Sequence, residues 1–175
     1  MTWILTNSGK HFDYADPQPD QIDILDIAQG LANECRYAGQ CRVFYSVAQH
    51  STLASQIVSH EHALEALLHD ASEAYCKDIP RPLKHMLPDY QAIEHRVEAA
   101  IRERFRLPAA MSQQVKWADV ILLATERRDL MPADKTPWPV LEGVSPLERK
   151  IMAAHAGRAQ SLFLKRWVEL TRDHH

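Results

Sequence analysis

Four polar side chains interrupt predicted apolar helix faces in this 175-residue sequence: His50, His69, Asp70 and Asp119. His50, for example, shares its predicted face with three apolar residues, Val47, Ala54 and Ile57. Burying such a group without a partner costs about 1–3 kcal/mol, so we expect each of them to have a hydrogen-bond partner or a bound ion. Two imidazoles and two carboxylates form a mixed nitrogen and oxygen set that suits a transition-metal ion. From spacing alone, a metal site and a buried polar network both remain open.

Several helices are needed to bring these side chains together. The apolar spacing predicts helices over about 22–35, 46–59, 62–76, 89–105, 112–130 and 145–170. The last one is predicted to begin at Ser145-Pro146-Leu147-Glu148, a capping box with proline at the first helical position. On the third, Glu73 follows His69 by about one turn, so the two side chains share one side.

Outside these helices, the sequence predicts a β-hairpin at the N-terminus, a loop before the last helix and a frayed C-terminal tail. Residues 1–20 predict a short β-hairpin, because two β-prone segments flank the turn sequence Asn7-Ser8-Gly9-Lys10. The segment 132–143 is predicted to be a loop. His174 and His175 are expected to be a frayed tail. The sequence therefore predicts one all-α domain over residues 1–175, with a small N-terminal β-hairpin.

Composition excludes several classes of partner. The formal net charge of −3 does not favour binding to a nucleic-acid polymer or an anionic membrane. No apolar run approaches the roughly 20 residues of a membrane span, and the N-terminus shows no export signal. The three cysteines, Cys35, Cys41 and Cys76, form no CxxC pair. Free thiols in a reducing cytoplasm are the simplest interpretation, so we expect a cytoplasmic protein.

The order His50, His69-Asp70, Asp119 resembles the H…HD…D signature of the HD-domain phosphohydrolase superfamily. The surrounding segments resemble its small nucleotide-acting branch, which includes bacterial 5′-deoxynucleotidases and a phage dATP triphosphohydrolase; they are VAQHS (47–51), ALLHDASE (66–73) and DIPRPLK (78–84). The resemblance covers about residues 23–130 and implies a compact HD-domain helical bundle. It also implies that these four residues bind one divalent ion, Co, Mn, Fe, Ni, Zn or Mg.

The same resemblance implies catalytic roles for two further carboxylates. Glu73 matches a residue that acts as general acid/base or positions a water, although it could instead only orient a metal ligand. Asp78 matches a catalytic or sugar-facing aspartate. Its alternative is a turn residue, because aspartate often precedes a proline-rich segment.

Three residues are implied to bind substrate. Lys84 matches a phosphate-contacting lysine, and Arg36-Tyr37 stands where the relatives carry an Arg-Trp pair. Arginine can bind phosphate through two donors, and an aromatic neighbour can stack on a base or sugar. Tyrosine in place of tryptophan leaves base specificity open. Lys84 could instead be a surface charge without a role in binding. Arg42 competes with Arg36 as the phosphate-binding arginine, and it too could be only a surface charge.

The function implied is removal of the 5′-phosphate from deoxynucleoside monophosphates. A triphosphohydrolase would use the same metal ligands with more cationic groups, which Arg36, Arg42, Arg81 and Lys84 could supply. A non-enzymatic nucleotide-binding scaffold is the third possibility.

The relatives form homo-oligomers, so a dimer or larger assembly is expected. His85 and His95 are interpreted as surface residues, which makes the site mononuclear.

Overall fold

The computed structural model describes residues 1–172 and is mostly helical, which confirms the predicted fold class. His174 and His175 lie outside this range. The helices are α1 (Ile24–Asn33), α2 (Val47–Ile57), α3 (His60–Leu68), α4 (Glu73–Cys76), α5 (Arg81–Lys84), α6 (Pro88–Arg104), α7 (Gln113–Leu130) and α8 (Ala156–Thr171). The predicted hairpin is present, with β1 (Trp3–Leu5) antiparallel to β2 (His11–Asp13). Across residues 1–172, no helix is both long and apolar enough to cross a membrane.

Helix α2 is the central helix of the bundle. It packs against α1, α3, α7 and α8. The hydroxyl of Ser46 caps its first turn by accepting a hydrogen bond from the backbone N–H of Gln49. His50 therefore lies in the first turns of an enclosed helix, where its side chain is fully buried.

The predicted helix over 62–76 is divided into α3 and α4. A tight turn through His69–Ser72 separates them, in which the N–H groups of Ala71 and Glu73 bond to carbonyls three residues earlier. This is the tighter 3₁₀ pattern of hydrogen bonds, which often occurs at helix ends. His69 is the C-cap residue that follows α3, and Glu73 is the first residue of α4.

The C-terminal helix begins at Ala156, so the predicted start at Ser145 is wrong. Residues 145–155 are not helical. The cap is instead His155, whose ring accepts a hydrogen bond from the backbone N–H of Arg158. We call residues 145–155 the strap.

The strap is held in a non-helical path by side chains from α7. Its N–H groups at Leu147 and Ile151 donate to Thr125 Oγ1 and Asp129 Oδ2, at 2.9 and 2.8 Å. These donors would otherwise serve the first turns of a helix. Tertiary hydrogen bonds thus override the local capping signal.

The N-terminal hairpin is anchored to α1 and α4. Phe12 is fully buried and stacks on Tyr75 with ring centroids 4.0 Å apart. Both carboxylate oxygens of Asp26 accept hydrogen bonds from Ser8, at 2.7 and 2.6 Å. The hydroxyl of Tyr14 donates to the Tyr75 carbonyl. The hairpin is therefore part of the main hydrophobic core.

Candidate metal centre

The fold brings the four predicted ligands together. His50 Nε2 lies 3.3 Å from His69 Nε2, 3.3 Å from Asp119 Oδ1 and 3.5 Å from Asp70 Oδ2. His69 Nε2 lies 3.1 Å from the same Asp70 oxygen. His50, His69 and Asp119 each offer a ligand atom within 4.8 Å of the others, so they form a group that could hold a metal ion.

The two imidazoles are oriented by hydrogen bonds on their far sides. His69 Nδ1 lies 2.8 Å from the Ala66 carbonyl, which only accepts, so we assign the proton to Nδ1. His50 Nδ1 lies 2.6 Å from Glu126 Oε1 and is assigned a proton in the same way. Both Nε2 lone pairs then face each other among carboxylate oxygens. Such a set of acceptors needs a cation, either a metal ion or a proton.

Opposite charges in the centre stabilise each other. Burial alone would raise the pKa of Asp70, but His69 outweighs it and the pKa is lowered. Burial likewise opposes ionisation of Asp119, whose pKa His50 nevertheless lowers. Burial also disfavours protonation of His50, yet Glu126 and Asp119 raise its pKa to about 9. The centre is therefore an electrostatic environment that attracts positive charge.

The two predicted catalytic carboxyls lie beside this centre. Glu73 is buried at the start of α4, and its Oε2 has no hydrogen-bond partner among the described residues. Burial, followed by Asp70 and Asp78, raises the pKa of Glu73 well above its ordinary value. Burial also raises the pKa of the half-buried Asp78. The backbone N–H of Asp78 donates to Glu34, which fixes the loop after α4.

The predicted substrate residues Arg36 and Tyr37 reach the centre from the loop after α1. Arg36 Nη1 lies 3.2 Å from Asp70 Oδ2, and its Nε lies 3.3 Å from Glu126 Oε2. The hydroxyl of Tyr37 donates to Glu126. Tyr37 and Ala38 have φ values of 56° and 51°, in the left-handed region that non-glycine residues rarely adopt. Both predicted side chains are thus held by carboxylates of the site.

The remaining predicted groups lie further out. Lys84 Nζ forms an ion pair with Glu94 of α6 at 2.7 Å. Arg42 is exposed and donates to the Asp129 carbonyl, as expected of a surface charge. The two histidines expected at the surface, His85 and His95, are indeed exposed.

Glu126 and Tyr45 also belong to the site, although neither was predicted from the sequence. Glu126 is fully buried and accepts a hydrogen bond from the hydroxyl of Tyr45 at 2.9 Å. A signal was present, because Glu126 follows Asp119 by seven residues and so lies on the same face of α7. A charged residue on that interior face needs partners as much as Asp119 does.

Comparison with known proteins gives a family but no activity. No family model matches the chain. YfdR, an uncharacterized protein of Escherichia coli strain K12, is 52% identical over 172 residues, which cover 98% of this chain and 97% of YfdR. An uncharacterized protein of Rhodobacter capsulatus is 37% identical over 126 residues, which cover 66% of this chain and 64% of that protein. The chain belongs to the family of E. coli YfdR.

Proposed function

We propose that this protein is a divalent-metal-dependent phosphohydrolase that removes the 5′-phosphate of deoxynucleoside monophosphates. The observation that carries the proposal is the pair of imidazole Nε2 atoms 3.3 Å apart, with carboxylate oxygens around them. The donors fit one divalent ion, which His50, His69, Asp70 and Asp119 would hold. The candidates for this ion are Co, Mn, Fe, Ni, Zn and Mg.

The bound ion would supply Lewis-acid activation of water and offset negative charge on the phosphoryl group. Glu73 supplies the proton chemistry. In its protonated form, which the raised pKa favours, it can donate to the leaving 5′ oxygen as the P–O bond breaks. In its ionised form it can orient the attacking water. Its buried Oε2 has no hydrogen-bond partner among the described residues, so this oxygen is available for either role.

The charge balance favours a monophosphate over a triphosphate. Arg36 faces both Asp70 and Glu126, and Lys84 is paired with Glu94. Neither cation is therefore free of a carboxylate partner. A triphosphate would bring two further phosphates that need positive charge. Because Arg36 and Lys84 are already paired, a triphosphate would depend on the exposed Arg42 and Arg81 for the further charge. We therefore rank the nucleotidase above the triphosphohydrolase, and the potential proton donor Glu73 ranks both above a non-enzymatic scaffold.

A nucleotide panel separates the three functions. Metal-free protein is supplied with Co²⁺, Mn²⁺ or Mg²⁺ and given deoxynucleoside mono- and triphosphates, and the products are scored separately as phosphate and triphosphate. Phosphate from the monophosphates, abolished by a chelator, supports the proposal. Triphosphate release identifies the second function. Nucleotide binding without release of either product identifies the scaffold and contradicts the proposal.

A further inference from the structure

The carboxylate of Glu126 contacts four residues of the site, although Glu126 is not one of the predicted metal ligands. Its Oε1 lies 2.6 Å from His50 Nδ1 and 2.9 Å from the Tyr45 hydroxyl. Its Oε2 accepts the hydrogen bond from the Tyr37 hydroxyl and lies 3.3 Å from Arg36 Nε. The carboxylate is fully buried on α7. One oxygen thus contacts a metal ligand, and the other contacts the loop that carries the predicted substrate residues.

We propose that Glu126 is a positioning residue that couples the metal ligand His50 to the Arg36–Tyr37 segment. It would set both the affinity of the centre for metal and the placement of the substrate residues. The coupling to substrate rests on the proposed function. The coupling to metal rests only on the geometry of the candidate centre.

The effect on His50 follows from hydrogen bonding. A carboxylate on Nδ1 keeps the proton on that nitrogen, so the Nε2 lone pair is available to a metal and is more basic. The Nδ1 of His69 instead faces a neutral group, the backbone carbonyl of Ala66. Only His50 therefore depends on a charged partner, and removing that charge should weaken the centre without removing a ligand.

The effect on the loop follows from its backbone. Tyr37 and Ala38 occupy the left-handed region consecutively, and neither is a glycine. Such conformations are costly and persist where surrounding contacts hold them. The Tyr37 hydroxyl and the Arg36 guanidinium both reach Glu126 Oε2, so this oxygen holds the segment from two adjacent side chains.

The first test measures Co²⁺ affinity by titration of the metal-free protein. Glu126→Gln should lower the affinity about 10–100-fold, the usual effect of removing such a partner. Glu142→Gln, the same change at an exposed position, should have no effect. Tyr37→Phe should keep the affinity for Co²⁺ and raise KM for the deoxynucleotide more than it lowers kcat. An unchanged KM would contradict the coupling to the substrate segment.

The second test needs no Glu126 variant, so it applies even if Glu126→Gln does not fold. Long-range ¹H–¹⁵N spectra of the Zn²⁺-loaded wild type report which nitrogen of His50 carries the proton, with His50→Ala for assignment. A His50 Nδ1 proton further downfield than that of His69, as a hydrogen bond to a charged acceptor predicts, supports the inference. Equal shifts for the two Nδ1 protons, or a His50 proton on Nε2, overturn it. If the wild type binds neither Co²⁺ nor Zn²⁺, the proposed metal centre itself is wrong. If it binds both ions and either test gives its contradicting result, only the inference is wrong.

Discussion

At the residue scale, Glu73 combines burial, an unpaired oxygen and two acidic neighbours. Glu73→Ala should keep its metal, because four other side chains are the predicted ligands. It should lose about 10²–10⁴-fold in kcat, the usual contribution of a general acid/base. Turnover and metal content are measured on the same sample. Loss of metal together with activity would show that Glu73 is a ligand or a structural residue.

The same carboxyl predicts a pH-dependent stability of the metal-free protein. Its pKa is raised in the folded state above an unfolded value of about 4.3. Its contribution to stability is therefore fully present below that value and is lost as the pH rises towards the folded pKa. Glu73→Gln cannot ionise, so its stability advantage over the wild type should grow with pH. Urea unfolding at about pH 5 and about pH 8, with chelator present, measures it. An advantage that is equal at both pH values would contradict this assignment.

Arg36 faces two different carboxylates through two different nitrogens. A lysine has one ammonium and cannot reproduce this planar arrangement of donors. Arg36→Lys should therefore lower kcat/KM by a similar factor for every deoxynucleotide and leave the ranking of bases unchanged. Steady-state kinetics across the four bases measure this. A changed ranking would show that Arg36 faces the base and not the phosphate.

At the element scale, the strap is held against α2 by one buried side chain. Gln49 Nε2 donates to the Met152 carbonyl, and Gln49 Oε1 accepts from the N–H of Ala154. Gln49→Ala leaves both backbone groups unpaired and should lower the free energy of unfolding by about 1–3 kcal/mol. Gln56→Ala, at an exposed position of the same helix, is the control and should be nearly neutral. Equal urea midpoints for the two variants would contradict this role.

The elements differ in how far sequence could predict them. Helices α1, α2, α6 and α7 begin and end close to the predicted residues, because their apolar spacing is helical throughout. In α1, α2 and α7 a side-chain cap at Asp23, Ser46 or Ser112 marks the same start. The strap was predicted as helix because its capping signal is local, whereas Thr125 and Asp129 that bind it are distant in sequence. The turn at His69–Ser72 was missed because its residues keep nearly helical geometry.

At the scale of the whole molecule, the predicted ligands meet because α2, the α3–α4 turn and α7 converge on one point. Residue type and an inward face were enough to select His50 and Asp119. The identity of the partner of His50 was not accessible, because periodicity gives the face of a helix and not the atom opposite it. The same limit applies to the hairpin, whose strands were predicted but whose docking through Phe12 was not.

The metal content of Asp119→Ala shows whether the four converging side chains bind a metal ion. Wild type, Asp119→Ala and Asp134→Ala are loaded with Co²⁺, dialysed and analysed for bound metal, with turnover measured in parallel. Asp134 is an exposed aspartate and serves as the matched control. We expect one ion in the wild type and in Asp134→Ala, with less metal and no activity in Asp119→Ala. Full metal occupancy together with full turnover in Asp119→Ala would contradict the proposed metal centre.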